Sequence, residues 1–493
     1  MMYRRIFLMI QFSCLLLSGQ ILGQQPKYQA TWESLEKYEI PDWFRDAKFG
    51  IFIHWGIYSV PAYQNEWYPR NMYTKDSKEY KHHIETYGPQ NKFGYKDFIP
   101  MFTAKNFDAD KWVDLFKKAG AKYIVPVAEH HDGFAMYNTA LSRWNAVQMG
   151  PKRDIIGELE KASRKANLHF GVSSHRIEHW WFFGEGRLFN SDVNDSAYAD
   201  FYGPATPFDG TKSGLKGPPI SQQFMNDWLL RDVELVNLYH PDLVWFDWWI
   251  DQTEMEPYRK SFAAFYYNQA LLWNKGVVIN YKHEAYPPHT AVLDLERGKL
   301  PGIRQEAWQT DDAIGNNSWG FTNDNSFKSV QYVVTNLIDI VSKNGNLLLN
   351  IGPRSDGTIT DEETNVLLGT GKWLAVNGEA IYGTRPWKIY GEGPTESASG
   401  EFKTQKPYTP ADIRFTTKGD TLYAITLALP APGEIIHIPS LGTKENNGTI
   451  SKIEIIGSAK SLTWSQEKDA LNIHAPDYFP SENAAAFRIS FIR

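Results

Sequence analysis

An aspartate that closes an apolar run invites a chemical reading. Asp247 ends Leu243-Val-Trp-Phe-Asp. A carboxylate on a buried strand is costly to ionise unless something compensates. At a strand tip it can serve as nucleophile or base; it can also simply cap the helix that follows. Cleavage of a glycosidic bond asks for two carboxyl groups. One attacks or activates water, and the other protonates the departing oxygen. Glu284, Glu296 and Glu306 follow the next apolar run, residues 277–281, within one or two loops, and any of them is a candidate for the second group. Taken alone, each also reads as a solvated loop carboxylate.

Histidines cluster at the ends of other apolar runs. His54 closes residues 49–54, and Glu66-Trp67-Tyr68 lies in the loop beyond. His130 and His131 follow residues 123–129, where a strand-to-loop turn lets both side chains reach one mouth. Imidazoles donate and accept hydrogen bonds, which suits sugar hydroxyls as well as a satisfied structural pair. A zinc site would require a third ligand and tetrahedral geometry, which adjacent histidines do not supply. His82-His83 sits among Lys and Glu and reads as solvated surface.

The elements that must position these residues alternate. Apolar runs at 49–54, 123–129, 169–174, 243–248, 277–281 and 346–351 are separated by helical patterns at 108–119, 154–166, 224–239 and 258–273. This alternation predicts a parallel sheet covered on its faces. More than 300 residues of it, with no Gly-x-Gly-x-x-Gly after the first strand, favours a (β/α)8-like barrel over residues 28–384. In such barrels the C-terminal strand ends line the active face. His54, His130, His131, His175, Asp247 and Lys282 all lie at such ends. From residue 385 to 493 short strand-like runs, at 401–406, 413–417, 421–429, 434–438, 450–456, 461–465, 470–474 and 485–492, predict an all-β sandwich, read as a support for the barrel. A Gly- and Pro-rich stretch inside residues 184–221 reads as an insertion above the barrel mouth.

Composition narrows the classes further. The chain has 493 residues, 42% hydrophobic and 15% aromatic, which excludes a disordered chain. One cysteine excludes a disulfide scaffold. A net charge of −6 carries no footprint for nucleic acid. Eighteen Trp and twenty-six Tyr mildly favour a carbohydrate protein, since aromatic planes pack on the C–H faces of sugars. Arg4 and Arg5, an apolar run to Leu17 and small residues to Gly23 have the layout of a signal peptide over residues 1–23. That run is too short to span a membrane, so an exported, periplasmic or secreted protein with no membrane span is expected.

Eight motifs in one order then resemble a known family. They are Lys48-Phe-Gly-Ile-Phe-Ile-His-Trp-Gly56, Glu66-Trp67-Tyr68, Ala119-Gly-Ala-Lys-Tyr123, His130-His-Asp-Gly-Phe134, Trp245-Phe-Asp247, Ser318-Trp-Gly320, Val341-Ser-Lys-Asn-Gly-Asn-Leu-Leu-Leu-Asn-Ile-Gly-Pro353 and Asn377-Gly-Glu-Ala-Ile-Tyr-Gly383. Together they resemble the α-L-fucosidases of glycoside hydrolase family 29. The resemblance implies a barrel followed by a β-sandwich, a retaining mechanism, a fucosylated oligosaccharide or glycoconjugate as substrate, and neither metal nor cofactor. It places the nucleophile at Asp247 and the acid/base at Glu296, with Glu306 and Glu284 behind it. It puts His54, Glu66, Trp67, His130 and His131 on fucose hydroxyls, Trp245 beside the nucleophile, and Trp319 on the fucose C5 methyl. Lys282 lies where relatives carry a basic residue near the nucleophile. The sequence departs at Leu168-His-Phe-Gly-Val-Ser-Ser-His175. Ser173, Ser174 and His175 stand where relatives often carry tyrosines, followed by Arg176, Glu178, His179 and Trp180. Such a wall could admit a galactose-like residue with one more hydroxyl. A glycosidase accepting galactosides and a silent sugar-binding protein are the rival readings.

Overall fold

The structure, a computed structural model, describes residues 26–207 and 219–492. The expected leader and part of the 184–221 insertion lie outside the described residues. Eight parallel strands close into a barrel: β1 Phe49–Ile53, β2 Tyr123–Glu129, β3 His169–Ser174, β4 Leu243–Phe246, β5 Val278–Tyr281, β6 Val292–Glu296, β7 Trp308–Ala313 and β8 Gly345–Ile351. Strands pair in chain order, and β8 returns to β1 with Phe49 opposite Leu347 and Ile53 opposite Ile351. The six expected runs are all strands of this barrel.

β6 and β7 were not expected, and their composition explains why. Val-Leu-Asp-Leu-Glu and Trp-Gln-Thr-Asp-Asp-Ala contain no apolar run. Every second side chain points into the bore, and on these two strands most of the inward residues, Asp294, Glu296, Gln309 and Asp311, are polar. The Tyr123 hydroxyl donates to Gln309 Oε1 at 2.7 Å, and Gln309 Nε2 donates to Asp294 Oδ2 at 2.6 Å. Gly50 makes room for this layer. A Cβ there would sit 2.4 Å from the Tyr123 ring.

Among the described residues, helices between or after the strands include Ala109–Lys118, Ile155–Lys165, Gln222–Tyr239, Glu256–Leu272, Val330–Ser342 and Asp361–Asn377. Five of them begin with an Asp, Ser or Thr side chain that accepts a hydrogen bond from a free first-turn N–H. The β5–β6 and β6–β7 connections contain no helix. One surface expectation fails. His83 is buried, with Nδ1 3.0 Å from the Tyr68 hydroxyl and Nε2 2.8 Å from the Phe93 carbonyl. It shares the inner face of helix Lys78–Tyr87 with Glu79, one turn earlier.

The C-terminal part is all antiparallel. β9 Arg385–Glu392, β10 Ile413–Lys418, β11 Thr421–Thr426, β13 Ile450–Ile455 and β16 Ala485–Phe491 form one sheet; β12 Ile435–Ile438, β14 Trp464–Gln466 and β15 Leu471–His474 form the other. Phe415, Leu422 and Phe487 from the first share a core with Ile436, Leu471 and Ile473 from the second. Residues 401–406 are not a strand. They belong to a strap, residues 393–412, between β9 and β10. The strand that residues 385–392 form instead is half-exposed along its length, so no alternation marks it.

A buried charge cluster joins the two parts. Asp339 on the helix before β8 takes Arg414 Nε of β10 at 2.6 Å and Lys343 Nζ at 2.8 Å, and all three residues are buried. Burial would raise the Asp339 carboxyl, but Arg414 and Lys343 hold it below the ordinary carboxylate range. Removing one partner strands the other charges in the interface. Asp339→Ala is therefore expected to cost about 3–5 kcal/mol at neutral pH, read by chemical denaturation. A loss below about 1 kcal/mol, the scale of an exposed ion pair, would contradict this reading.

Candidate active site

At the C-terminal ends of the strands lies a cavity of about 270 Å³, lined by His54, Glu66, Trp67, His130, His131, His175, Glu178, Trp245, Asp247, Trp248, Trp249, Lys282, Glu296, Asp311, Trp319 and Phe402. It has room for one sugar ring. Pleating accounts for most of its floor. Trp245 and Asp247 share one face of the β4 strand and its extension, Asn280 and Lys282 of β5, Asp294 and Glu296 of β6, and Gln309 and Asp311 of β7. In each pair the first residue fills the bore and the second reaches the cavity.

Lys282 organises the carboxyl groups. Its Nζ lies 2.5 Å from Glu296 Oε2, 3.3 Å from Asp311 Oδ2 and 3.7 Å from Asp247 Oδ1. The Glu296 and Asp247 oxygens that share this nitrogen therefore lie no further apart than about 6.2 Å, the sum of the two contacts. Burial disfavours the Lys282 ammonium, but Asp311, Glu296 and Asp247 outweigh it and raise its pKa above the usual lysine value. Burial would likewise raise Asp247. The Lys282 charge, the His175 hydrogen bond and His131 overcome that and hold Asp247 well below the ordinary carboxylate range. Asp311, buried beside Asp294, is pushed well above it.

The histidines are held in fixed orientations. β3 pairs with β4 so that Ser173 lies opposite Trp245 and Ser174 opposite Phe246. The next step brings His175 Nδ1 to 2.8 Å from Asp247 Oδ2, with His175 Nε2 3.0 Å from Ser173 Oγ. His54 Nδ1 lies 2.7 Å from Asn350 Oδ1. Asn350 Nδ2 donates to the Trp319 carbonyl at 2.7 Å, which fixes the amide and leaves His54 Nε2 for the cavity. His131 Nδ1 meets the His175 carbonyl at 3.0 Å, and His131 Nε2 stands 3.6 Å from Asp247 Oδ2. Burial lowers His131 to about 3, so its ring is neutral. Glu66 accepts from the Ser318 hydroxyl and the Trp319 N–H, each at 2.9 Å, and so holds the Ser-Trp-Gly loop over the cavity. Two groups could in principle hold a metal ion: His54, His130 and His175, or His131, His175 and Asp247. Both draw on His175, whose ring nitrogens are already engaged by Asp247 and Ser173.

The structure brings together nine sequence candidates: Asp247, Glu296, His54, Glu66, Trp67, His130, His131, Trp245 and Trp319. It separates the other two acids from them. Glu306 precedes β7, at the opposite end of the barrel, beside Arg304 and His289. Glu284 is exposed and lines no part of the cavity. Glu296 is not a loop carboxylate, because it ends β6, and Trp248 Nε1 donates to its Oε2 at 2.7 Å. Sequence reasoning gave no role to Asp311, Trp248 or Phe402, and saw His175 and Glu178 only as part of the pocket wall. Glu178 is buried, with Oε2 unpartnered, and burial and Asp247 raise its carboxyl well above the usual range.

A parallel barrel carrying paired carboxylates and aromatic walls at its C-terminal strand ends has the build of a glycosidase. The comparisons with known proteins make that class specific. A family model described as α-L-fucosidase matches residues 15–379, and one described as α-L-fucosidase C-terminal domain matches residues 405–490. The tissue α-L-fucosidase of Rattus norvegicus is 33% identical over 98% of this chain and 97% of its own. The plasma α-L-fucosidase of Homo sapiens is 33% identical over 91% of this chain and 89% of its own. The solved Thermotoga maritima α-fucosidase in complex with fucose is 32% identical, with a TM-score of 0.74, over 94% of this chain and 99% of its own. This chain belongs to the α-L-fucosidase family of glycoside hydrolases.

Lys282→Met removes the one cation that Asp247, Glu296 and Asp311 share. The buried Asp247 and Asp311 carboxyls then titrate above their unfolded values, so the variant's folded state is favoured while they are protonated and loses stability as pH rises. The deficit in apparent Tm against wild type should widen from about pH 4.5 to pH 7. A deficit independent of pH would show that Lys282 does not serve as their counter-ion.

Proposed function

We propose that this protein is an exo-acting, retaining α-L-fucosidase that releases terminal α-L-fucose from glycans by double displacement. The observation that carries the reading is Lys282, one ammonium in reach of both Asp247 and Glu296. The two oxygens that share this ammonium lie no more than about 6.2 Å apart, which is compatible with the roughly 5–5.5 Å carboxyl separation of retention.

In the first step the Asp247 carboxylate attacks the anomeric carbon, the bond from that carbon to the aglycone oxygen breaks, and Glu296 gives that oxygen its proton. Asp247 is suited to attack because Lys282 and His175 keep it ionised. Lys282 holds the acid in place, with Nζ 2.5 Å from Glu296 Oε2. Glu296 then takes a proton from water as the water attacks the anomeric carbon and returns the Asp247 carboxylate. His54, His130, His131 and Glu66 bind the ring hydroxyls, and Trp319 and Trp245 pack on its apolar edge. Export after cleavage near Gly23 belongs to the same proposal. N-terminal sequencing of the secreted chain tests it, and a retained Met1 overturns it.

Asp247→Ala should lower turnover by at least about 10⁴-fold while leaving the fold intact, and azide with an activated aryl fucoside should restore activity as the β-fucosyl azide. Near-normal turnover in this variant would end the assignment. Glu296→Ala should spare the first step on nitrophenyl fucoside and slow it strongly on a fucosyl disaccharide, whose leaving group needs the proton. Equal losses on both substrates would remove Glu296 from that role. For wild type, proton NMR should show α-L-fucose as the first-formed anomer; β-L-fucose would exclude retention.

A further inference from the structure

The cavity holds one sugar ring, yet an exo-acting enzyme must also accommodate the group that leaves. The acid marks where that group stands, because its proton goes to the leaving oxygen. The strap of the C-terminal domain runs along this side. Glu401 Oε1 accepts the N–H of Glu296 at 3.0 Å. Lys299 and Gly400 exchange two backbone hydrogen bonds, at 3.3 and 2.8 Å, and Phe402 N–H meets the Arg297 carbonyl at 3.3 Å. The strap thus pairs with the few residues that follow Glu296 and presents the next side chain, Phe402, to the cavity.

Three properties set Phe402 apart. Its side chain is 56% exposed and belongs to none of the hydrophobic clusters. It is the only exposed large apolar residue among the described residues that lines this cavity. Its backbone has φ +56°, a region that a bulky side chain enters at a cost. An aromatic ring held out to water, in a strained conformation and beside the acid, gains nothing from the core. A sugar offers it what it lacks, an apolar C–H face.

We infer that Phe402 is the stacking platform of an aglycone subsite, taking the pyranose ring to which the fucose is attached, so that the C-terminal domain contributes directly to substrate choice. This rests on the proposed fucosidase activity. Phe402 acts on the leaving sugar and not on the fucose, so its effect depends on what the aglycone is. Two substrates separate the cases: α-L-fucosyl fluoride, which has no aglycone ring, and whichever of the 2-, 3-, 4- or 6-linked fucosyl disaccharides wild type turns over best. Phe402→Ala should lower the ratio of kcat/KM on the disaccharide to kcat/KM on the fluoride by about 10-fold, the scale of one aromatic contact. Phe402→Trp should keep that ratio within a few-fold of wild type. Phe402→Gly should show the same lowered ratio while raising apparent Tm, because glycine relieves the positive φ. A ratio in Phe402→Ala equal to wild type, whether both rates fall together or neither moves, would overturn the subsite and leave the activity standing. Wild type inert on both substrates would instead strike the fucosidase reading, and this inference with it.

Discussion

One buried ammonium sets the conditions for everything else at the strand tips. Lys282 is 2% exposed at its side chain and faces Glu296, Asp311 and Asp247 at once. Without this cation, burial would disfavour the ionised form of Asp247. The arrangement is not neutral, because three acids share one positive charge. Asp311, buried against Asp294, has its carboxyl raised well above the ordinary range and so favours a proton.

Support for that cluster extends downward as well as sideways. Beneath Lys282 a hydrogen-bonded layer of Tyr123, Gln309 and Asp294 lies among the apolar side chains that fill the bore, Val125, Leu243, Val278 and Val292. Beside it, the register of β3 against β4 delivers His175 to Asp247. The Ser173 hydroxyl engages the far nitrogen of that imidazole, so the ring has one stable orientation. Ser173 and His175 thus form a chain of contacts that ends on the Asp247 carboxylate.

How much of this could be read from the chain follows from the same physics. Asp247, His54, His130 and His131 were legible because each ends a continuous apolar run, and buried parallel strands produce such runs. β6 and β7 were not, because their inward residues bond to one another, and a strand whose buried face is polar carries no hydrophobic signal. Glu296 was consequently chosen by resemblance, since taken alone it read equally as a loop carboxylate. His83 failed for the opposite reason, since its polar neighbours hid a helix face that turns inward. Phe402 lies over 100 residues from Glu296 in another domain, and no local pattern ties the two together.

The position of the strap follows from a gap in the barrel's own covering. A parallel barrel needs both faces of every strand covered. Here the connections on either side of β6 contain no helix, and its outer residues, Leu293 and Leu295, are only partly buried. Tyr408 of the strap packs into the same hydrophobic cluster as these leucines, and Lys299 Nζ sits 5.6 Å from the Tyr408 ring centroid. Ser397 and Arg414, at either end of the strap, both bond to Asp339. The C-terminal domain thus completes the barrel where a helix is missing. Because β6 carries Glu296 at its tip, the segment that closes the gap necessarily runs past the cavity rim. A domain read from sequence as a support is for this reason also a wall of the site: the contact that stabilises the strand and the contact that reaches the cavity are neighbouring residues on one strap.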